Sequence, residues 1–182
     1  YKRQEENDFK EIVGSLLYLV ACTRPDIAHA VNVASRTAKP TIAHWNALKR
    51  ILRYLKGTKE IGIHFRWEKS NDLVGYSDAD YANDPTTRRS TTGYCIYYAG
   101  GLVAWRCQRQ SIVTLSTTEA EYVSGCELTK ELIPLQELLV ELDEMKPKKP
   151  AKVLIDNQSA IKIATNEQAQ QRTKHIDIRQ KW

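Results

Sequence analysis

The sequence predicts an α/β protein in two parts, a small helical segment followed by a mixed α+β sheet packed by helices. Apolar side chains recur at helical spacing through residues 8–66. From about residue 69 the pattern changes to the alternation of strands. The second part runs in the order βββαβα, which is typical of a mixed sheet covered by helices. We therefore predict a helical segment over residues 1–68 and an α/β domain over residues 69–182.

The helical segment contains one strongly amphipathic helix. A break at residues 23–26 places Pro25 at a helix start, and a second break lies at residues 39–41. The helix is predicted from His44 to Gly57, where glycine ends it. The side chains predicted to face inward are Leu48, Ile51, Leu52 and Leu55. The outward cations are Lys49, Arg50, Arg53 and Lys56, and the pattern alone is more typical of a solvated helix face than of a binding surface.

The second part begins with a three-stranded meander. Its strands are predicted at Leu73–Ala82, Thr92–Ala99 and Gly101–Arg109. A long helix follows from Ser116 to about Leu142, and Pro134 is expected to kink or split it because proline removes a helical hydrogen bond. After a basic linker at residues 146–150, a short apolar strand is predicted at Lys152–Asp156.

Composition narrows the class of protein. With 182 residues, 42% of them hydrophobic and 27% charged, the chain has enough apolar side chains to bury a core. No stretch approaches the roughly 18 apolar residues of a membrane span, and residues 1–7 lack the apolar core of a signal peptide. We therefore expect a soluble intracellular protein without a membrane partner. A net charge of +5 is compatible with a polyanionic partner but does not establish one.

The cysteines and the chain ends lead to two further expectations. Cys22, Cys95, Cys107 and Cys126 form no Cys-x-x-Cys pair, so we expect reduced thiols rather than a zinc site or disulfides. The first residue is not Met, and the last residues still follow a helical pattern. We expect an excerpt from a longer polypeptide.

Three acidic residues are predicted to converge at one edge of the sheet. Asp78 lies in the first strand, Glu121 in the first turns of the long helix, and Asp156 at the end of the fourth strand. Clustered carboxylates suit Mg²⁺, and two such ions can support phosphodiester cleavage. Asp80 shares a strand face with Asp78, so alternation alone cannot choose between them.

Helical geometry separates the two glutamates of the long helix. Glu119 and Glu121 differ by about 200° around the axis, so only one of them can face the sheet. Glu121 heads a seam that continues at spacings of four and three through Gly125, Leu128 and Leu132. We therefore predict that Glu121 faces the sheet and that Glu119 points away.

Eight motifs, in order, resemble the Pol polyprotein of copia-type LTR retrotransposons across nearly the whole chain. They are Gly14–Leu19, Thr23–Ala28, Lys49–Thr58, Gly75–Asp80, Arg88–Tyr94, Ser116–Tyr122, Asp156–Ala160 and Arg172–Asp177. The resemblance implies the end of the reverse transcriptase over residues 1–68 and a ribonuclease H-like domain over residues 69–182, truncated before its last strand. It also implies cleavage of the RNA strand of RNA/DNA hybrids with two Mg²⁺ ions, for which Mn²⁺ is an alternative. The implied surroundings are the rest of the polyprotein, in a cytoplasmic virus-like particle or in the nucleus.

The resemblance also assigns the carboxylates. The family carries them in the order Asp, Glu, Asp and a fourth Asp, and Asp78, Glu121 and Asp156 match the first three. Glu121 fits the family's Glu-x-x-small pattern, with Ser124 as the small residue. The fourth, in an Ala-Asp motif, falls beyond Trp182. Asp177 and its neighbour His175 belong to a separate motif for which we expect a structural role.

Two classes of function remain open from the sequence. The first is a ribonuclease H whose helix from His44 lies beside the hybrid. The second is a catalytically incomplete module that binds nucleic acid, or a relic of such an element. No Tyr-x-Asp-Asp polymerase motif occurs in the chain, and the glutamate comes second rather than last, unlike in transposases and integrases. Arg88 and Arg89 either contact phosphate or solvate the turn after the first strand.

Overall fold

The structure, a computed structural model, describes residues 2–65, 72–146 and 149–165. Contacts divide the chain into two compact units, Tyr1–His64 and Phe65–Trp182. The division lies four residues before the boundary that the sequence predicts. The assignment of the two parts to a reverse transcriptase and a ribonuclease H stays a prediction.

The first unit is helical. Helix α1 spans Lys2–Cys22, a 3₁₀ helix spans Pro25–Ile27, α2 spans Ala28–Ser35 and α3 spans Ile42–Gly57. Pro25 takes the first position of the 3₁₀ helix, where its missing N–H costs nothing. The core consists of Phe9, Val13, Leu16, Ile27, Val31, Ala34, Leu48 and Ile51. The ring of Trp45 meets that of Phe9 edge-on, with 5.3 Å between centroids.

Two expectations for this unit were wrong. Residues 61–65 have no regular secondary structure, although helical spacing was predicted through residue 66. Leu52 was predicted to face inward, but 41% of it is exposed, whereas Leu48 and Ile51 are buried. At 100° per residue, Leu52 lies on the flank of the apolar stripe. Burial therefore follows the centre of the stripe and not every apolar residue near it.

The second unit contains a four-stranded mixed sheet. Strand β1 spans Leu73–Asp80, β2 Thr91–Tyr98, β3 Gly101–Arg109 and β4 Lys152–Ile155, and the strand order is β3-β2-β1-β4. The first three strands form the predicted antiparallel meander, and β4 pairs with β1 in parallel. Helix α4 spans Thr117–Glu141 and α5 spans Gln158–Thr165. This mixed sheet with helices is the predicted α/β, ribonuclease H-like fold class.

Helix α4 covers one face of the sheet. Ser116 caps its first turn by accepting a hydrogen bond from the Glu119 N–H at 3.1 Å. The seam predicted from the sequence is buried, and Leu128 and Leu132 contribute to a core with Leu73, Tyr94, Ile96, Leu139 and Met145. Of the kink or split predicted at Pro134, the split was wrong, because α4 continues through this residue, and the kink stays a prediction. Proline removes one backbone donor and leaves the other turns of the helix bonded.

Two further expectations can be compared with the structure. The four cysteines are free in the structure, Cys22 exposed and the other three partly buried. Among the described residues, no helix is long and apolar enough to cross a membrane.

Candidate metal centre

Three carboxylates meet at one edge of the sheet because of the way β1, β4 and α4 are arranged. Strands β1 and β4 are parallel neighbours, so their carboxyl ends lie at the same edge. Asp78 lies near the end of β1, and Asp156 directly follows β4. Glu121 projects from the start of α4. One carboxylate oxygen from each of the three residues lies within 4.8 Å of the other two, as the convergence hypothesis requires.

The burial of the three carboxylates differs. Asp78 and Asp156 are exposed, whereas Glu121 is only 7% exposed. Its Oε1 accepts a hydrogen bond from the Ala79 N–H at 3.2 Å. Its Oε2 is inaccessible to solvent and has no hydrogen-bond partner among the described residues. A buried carboxylate oxygen without a donor is costly, and a bound cation would offset that cost.

The electrostatics of the cluster also favour a cation. Burial raises the pKa of Glu121 to about 7, the Ala79 N–H opposes the shift, and the nearby Asp78 and Asp156 raise the pKa further. Three carboxylates so close together repel one another until a positive charge lies between them. Their hard oxygen ligands fit Mg²⁺, which binds through a few carboxylates and keeps waters for substrate.

The structure distinguishes the acidic residues that the pattern left ambiguous. Asp80 is outside the cluster, and its carboxylate accepts a hydrogen bond from Asn83 at 2.8 Å. Glu119 is likewise outside the cluster, yet it is 3% exposed rather than solvated. Its carboxylate accepts a hydrogen bond from the Leu115 N–H at the start of α4. Glu119 therefore stabilises the start of α4, where Glu121 lies.

Arg88 and Arg89 lie in the loop that follows β1; this loop begins at the edge of the sheet where the three carboxylates meet. Arg88 is exposed with φ of 55°, and Arg89 is partly buried. Asp84, which was not among the predicted site residues, anchors this loop by accepting hydrogen bonds from the Thr86 and Thr87 N–H groups. The Asp-Pro-Thr-Thr run at residues 84–87, typical of an Asx turn, was the available signal. Phosphate contact by the two arginines stays a prediction.

A second anchor of the loop is an ion pair to β3. Arg109 Nη1 donates to Asp84 Oδ2 at 2.8 Å, and the Asp84 side chain is 6% exposed. The Arg109 guanidinium and the Thr87 and Thr86 N–H groups hold the pKa of Asp84 well below its usual range.

Replacing Asp84 by asparagine is expected to lower stability most at neutral pH. A depressed carboxyl pKa contributes stability above the unfolded-state pKa of about 4, and this contribution is lost as the pH falls further. The difference in unfolding free energy between the two proteins should therefore narrow from pH 7 toward pH 2. Urea unfolding at several pH values measures it, with Asp143→Asn at an exposed carboxylate as the control. A difference that does not change with pH would contradict the role of the ion pair.

The remaining predicted residues lie outside this cluster. Lys49, Arg50, Arg53 and Lys56 are exposed on α3 of the first unit, on the predicted outward face. Arg53 Nε donates to the Lys49 carbonyl at 3.3 Å, which keeps this side chain along the helix. Binding of nucleic acid by these four cations stays a prediction. Asp177 and His175 lie outside the described residues.

Comparison with known proteins identifies the family. The chain is 46% identical over 175 residues to the retrovirus-related Pol polyprotein from transposon TNT 1-94 of Nicotiana tabacum, a match that covers 96% of the chain. It is 41% identical over 178 residues to the Pol polyprotein from transposon RE2 of Arabidopsis thaliana, covering 97% of the chain. The chain belongs to the Pol polyproteins of copia-type retrotransposons. It spans 13% and 12% of the lengths of these two relatives.

The chain is also similar, over a shorter stretch, to a protein that is not named as a Pol polyprotein. The chain is 49% identical over 122 residues to the secreted RxLR effector protein 161 of Plasmopara viticola. This match covers 66% of the chain and 86% of that protein. No family model and no solved structure matches the chain. The Pol relatives match both units of the chain, since their alignments cover nearly all of it.

Proposed function

We propose that residues 69–182 belong to the ribonuclease H domain of a copia-type Pol polyprotein and that residues 1–68 are the end of its reverse transcriptase. The parent protein hydrolyses the RNA strand of RNA/DNA hybrids with two Mg²⁺ ions. The proposal rests on the cluster of Asp78, Glu121 and Asp156, whose carboxylate oxygens lie within 4.8 Å of one another. The cluster lies at the edge of a ribonuclease H-like sheet. Membership of the Pol family supports it independently.

Each of the three carboxylates has a distinct part in this mechanism. Glu121 would hold the metal from the buried side through the oxygen that has no other partner among the described residues. Asp78 and Asp156 would hold it from the exposed side. When bound there, Mg²⁺ would supply an activated water for attack on the phosphodiester and positive charge beside the leaving oxygen. Because three carboxylates repel a phosphodiester, the site accepts substrate only with cations present.

Cleavage of a hybrid labelled on one strand at a time tests the proposal. In a chain extended through the family's Ala-Asp motif, the RNA strand of the hybrid should be cut with Mg²⁺ while the DNA strand and duplex DNA remain intact, because the 2′-OH and groove shape mark the RNA strand. EDTA should stop the reaction. Equal cutting of both strands, or cutting that persists in EDTA, would contradict the proposal.

A second candidate is a module that binds hybrids without cutting them. The described residues supply three carboxylates to the site, whereas the family resemblance implies four. A two-metal site with one carboxylate fewer holds its second ion more weakly and loses part of the charge stabilisation that cleavage needs. We therefore expect the 182-residue chain to cut hybrid feebly or not at all, and a chain extended through the family's Ala-Asp motif to cut it. Rapid cutting by the 182-residue chain would contradict the need for the fourth carboxylate.

Neutralising Lys49 and Arg53 with glutamine is expected to weaken binding to hybrids of every sequence alike. Cations that bind phosphate release counterions, so the slope of log K against log salt should flatten by roughly one unit for each cation removed from the interface. Fluorescence anisotropy across a salt series measures the slope. The control is a Lys10→Gln and Lys39→Gln double variant, which removes the same charge from exposed positions elsewhere in the first unit. Equal weakening in both variants would assign the effect to net charge instead of α3.

A further inference from the structure

Side chains of helix α4 form hydrogen bonds with both the N–H and the carbonyl of one peptide group in β1. The peptide bond between Asp78 and Ala79 presents its N–H to Glu121 Oε1 at 3.2 Å. Its carbonyl oxygen accepts a hydrogen bond from Ser124 Oγ at 2.8 Å. Glu121 and Ser124 are three residues apart and hence on one helix face. The peptide that carries the Asp78 side chain is therefore fixed by two successive positions of the same face of α4.

The hydrogen bond of Ser124 is shielded from water because the residue is buried between α4 and the sheet. Ser124 is fully buried, with no exposed surface. Its hydroxyl lies 3.4 Å from the carbonyl of Gly93, the residue opposite Asp78 on β2, so it lies at the junction of the two strands. A buried hydroxyl at 2.8 Å from its acceptor is well within hydrogen-bond range.

Because helix α4 packs closely on the sheet, the short Ser124 side chain reaches the Asp78 carbonyl of β1. A Cβ added to Gly125 would lie 2.8 Å from Ile155 Cδ1, and one added to Gly75 would lie 2.8 Å from Leu128 Cδ1. Glycines therefore stand on both sides of the packing between α4 and the sheet, Gly125 on the helix against β4 and Gly75 on β1 against the helix. If α4 lay farther from β1, the Ser124 hydroxyl could not form its hydrogen bond with the Asp78 carbonyl.

We propose that Ser124 is a positioning residue of the metal centre, acting through the peptide between Asp78 and Ala79; this inference rests on the proposed function. The Ser124 hydrogen bond fixes α4 against β1 and thereby sets the distance between the Glu121 and Asp78 carboxylates. Metal ligands need placement to within about 0.5 Å, which comes from the groups that hold them. Removing such supporting groups lowers metal affinity by about tenfold to a hundredfold.

The test compares Ser124→Ala with Thr129→Ala in the 182-residue chain. Thr129 lies on the same helix and also donates its hydroxyl to a backbone carbonyl, that of Gly125 at 2.8 Å, within α4 itself. Titration calorimetry with Mg²⁺ should show affinity about tenfold lower for Ser124→Ala and little changed for Thr129→Ala. In EDTA, the amide NMR resonance of Ala79 should shift in Ser124→Ala alone. This second readout needs neither metal nor activity.

Each outcome decides the inference. Circular dichroism in EDTA first establishes that the variant folds; if Ser124→Ala does not fold, Ser124→Cys, with a poorer hydrogen-bond donor of similar shape, takes its place. Wild-type affinity together with an unmoved Ala79 resonance in a folded variant overturns the positioning role and leaves the proposed function standing. An unsubstituted chain that binds no Mg²⁺ contradicts the metal centre itself, and the positioning role with it.

Discussion

Replacing Asp78 by asparagine is expected to lower Mg²⁺-dependent cleavage of the RNA strand by about a thousandfold, because the substitution removes a charge from a site that stabilises transition-state charge. Asp80→Asn should leave the rate within a few-fold of the unsubstituted chain, since Asp80 pairs with Asn83 outside the cluster. The two substitutions are matched in chemistry and lie two residues apart on one strand. Single-turnover cleavage of a labelled hybrid measures both, in the extended chain if the 182-residue chain cuts too slowly.

Binding separates loss of chemistry from loss of substrate in this experiment. Asp78→Asn and Asp156→Asn should bind hybrid nearly as well as the unsubstituted chain, because most contacts of such proteins are made to the nucleic-acid backbone. Anisotropy in the presence of Ca²⁺ measures this binding while cleavage is slow. A larger loss of cleavage in Asp80→Asn than in Asp78→Asn would contradict the assignment of the metal ligands.

Glu121→Gln is expected to stabilise the metal-free protein at pH 8, on the order of 2 kcal/mol. The pKa of Glu121 is raised to about 7 by burial and by the neighbouring carboxylates. A raised carboxyl pKa means that the folded state disfavours the charge, so stability falls as the pH rises from about 4.5 to about 7. Glutamine avoids this penalty, and its amide oxygen still accepts from the Ala79 N–H.

Magnesium should reverse the order of stability. A ligand that binds only the folded state stabilises it by mass action, so the unsubstituted protein should gain from Mg²⁺ and Glu121→Gln should gain little. Urea unfolding between pH 4.5 and 8, with EDTA or with Mg²⁺, measures both effects. Glu131→Gln, at an exposed position of α4, is the control. A Glu121→Gln variant less stable than the unsubstituted protein in EDTA at pH 8 would contradict the electrostatic account.

The sequence predicted those parts of the site that depend on one regular element. Helical spacing placed Glu121 on the buried seam of α4, because the residues that follow on that face are apolar or small. Alternation along β1 left Asp78 and Asp80 equivalent, since both lie on one face of the strand. The pairing of β4 with β1 and the hydrogen bond from Asn83 separate them, and neither follows from the spacing within β1.

Contacts between distant residues were beyond sequence reasoning. Asp84 and Arg109 are 25 residues apart and form a pair only because β2 and β3 bring the loop and the strand together. Leu52 shows a second limit of sequence reasoning. The pattern of a helix predicts which face is apolar, but it does not predict how much of that face the rest of the protein covers. Pro134 shows that a strong local preference can be overridden when the helix around it is packed against a sheet.

The three carboxylates of the cluster are held in place to different degrees, because they lie on elements that pack differently. Asp78 and Glu121 lie on elements joined by the core, whereas Asp156 follows a strand of four largely exposed residues at the margin of the described sheet. Ion pairs from Lys149 and Lys152 to Asp72 tie this strand at its start, the end remote from Asp156. Local opening of β4 would therefore take the cluster apart without unfolding the core. If the cluster holds Mg²⁺ as proposed, metal binding would therefore increase the hydrogen-exchange protection of β4, because opening of the strand and loss of the ion would be thermodynamically linked.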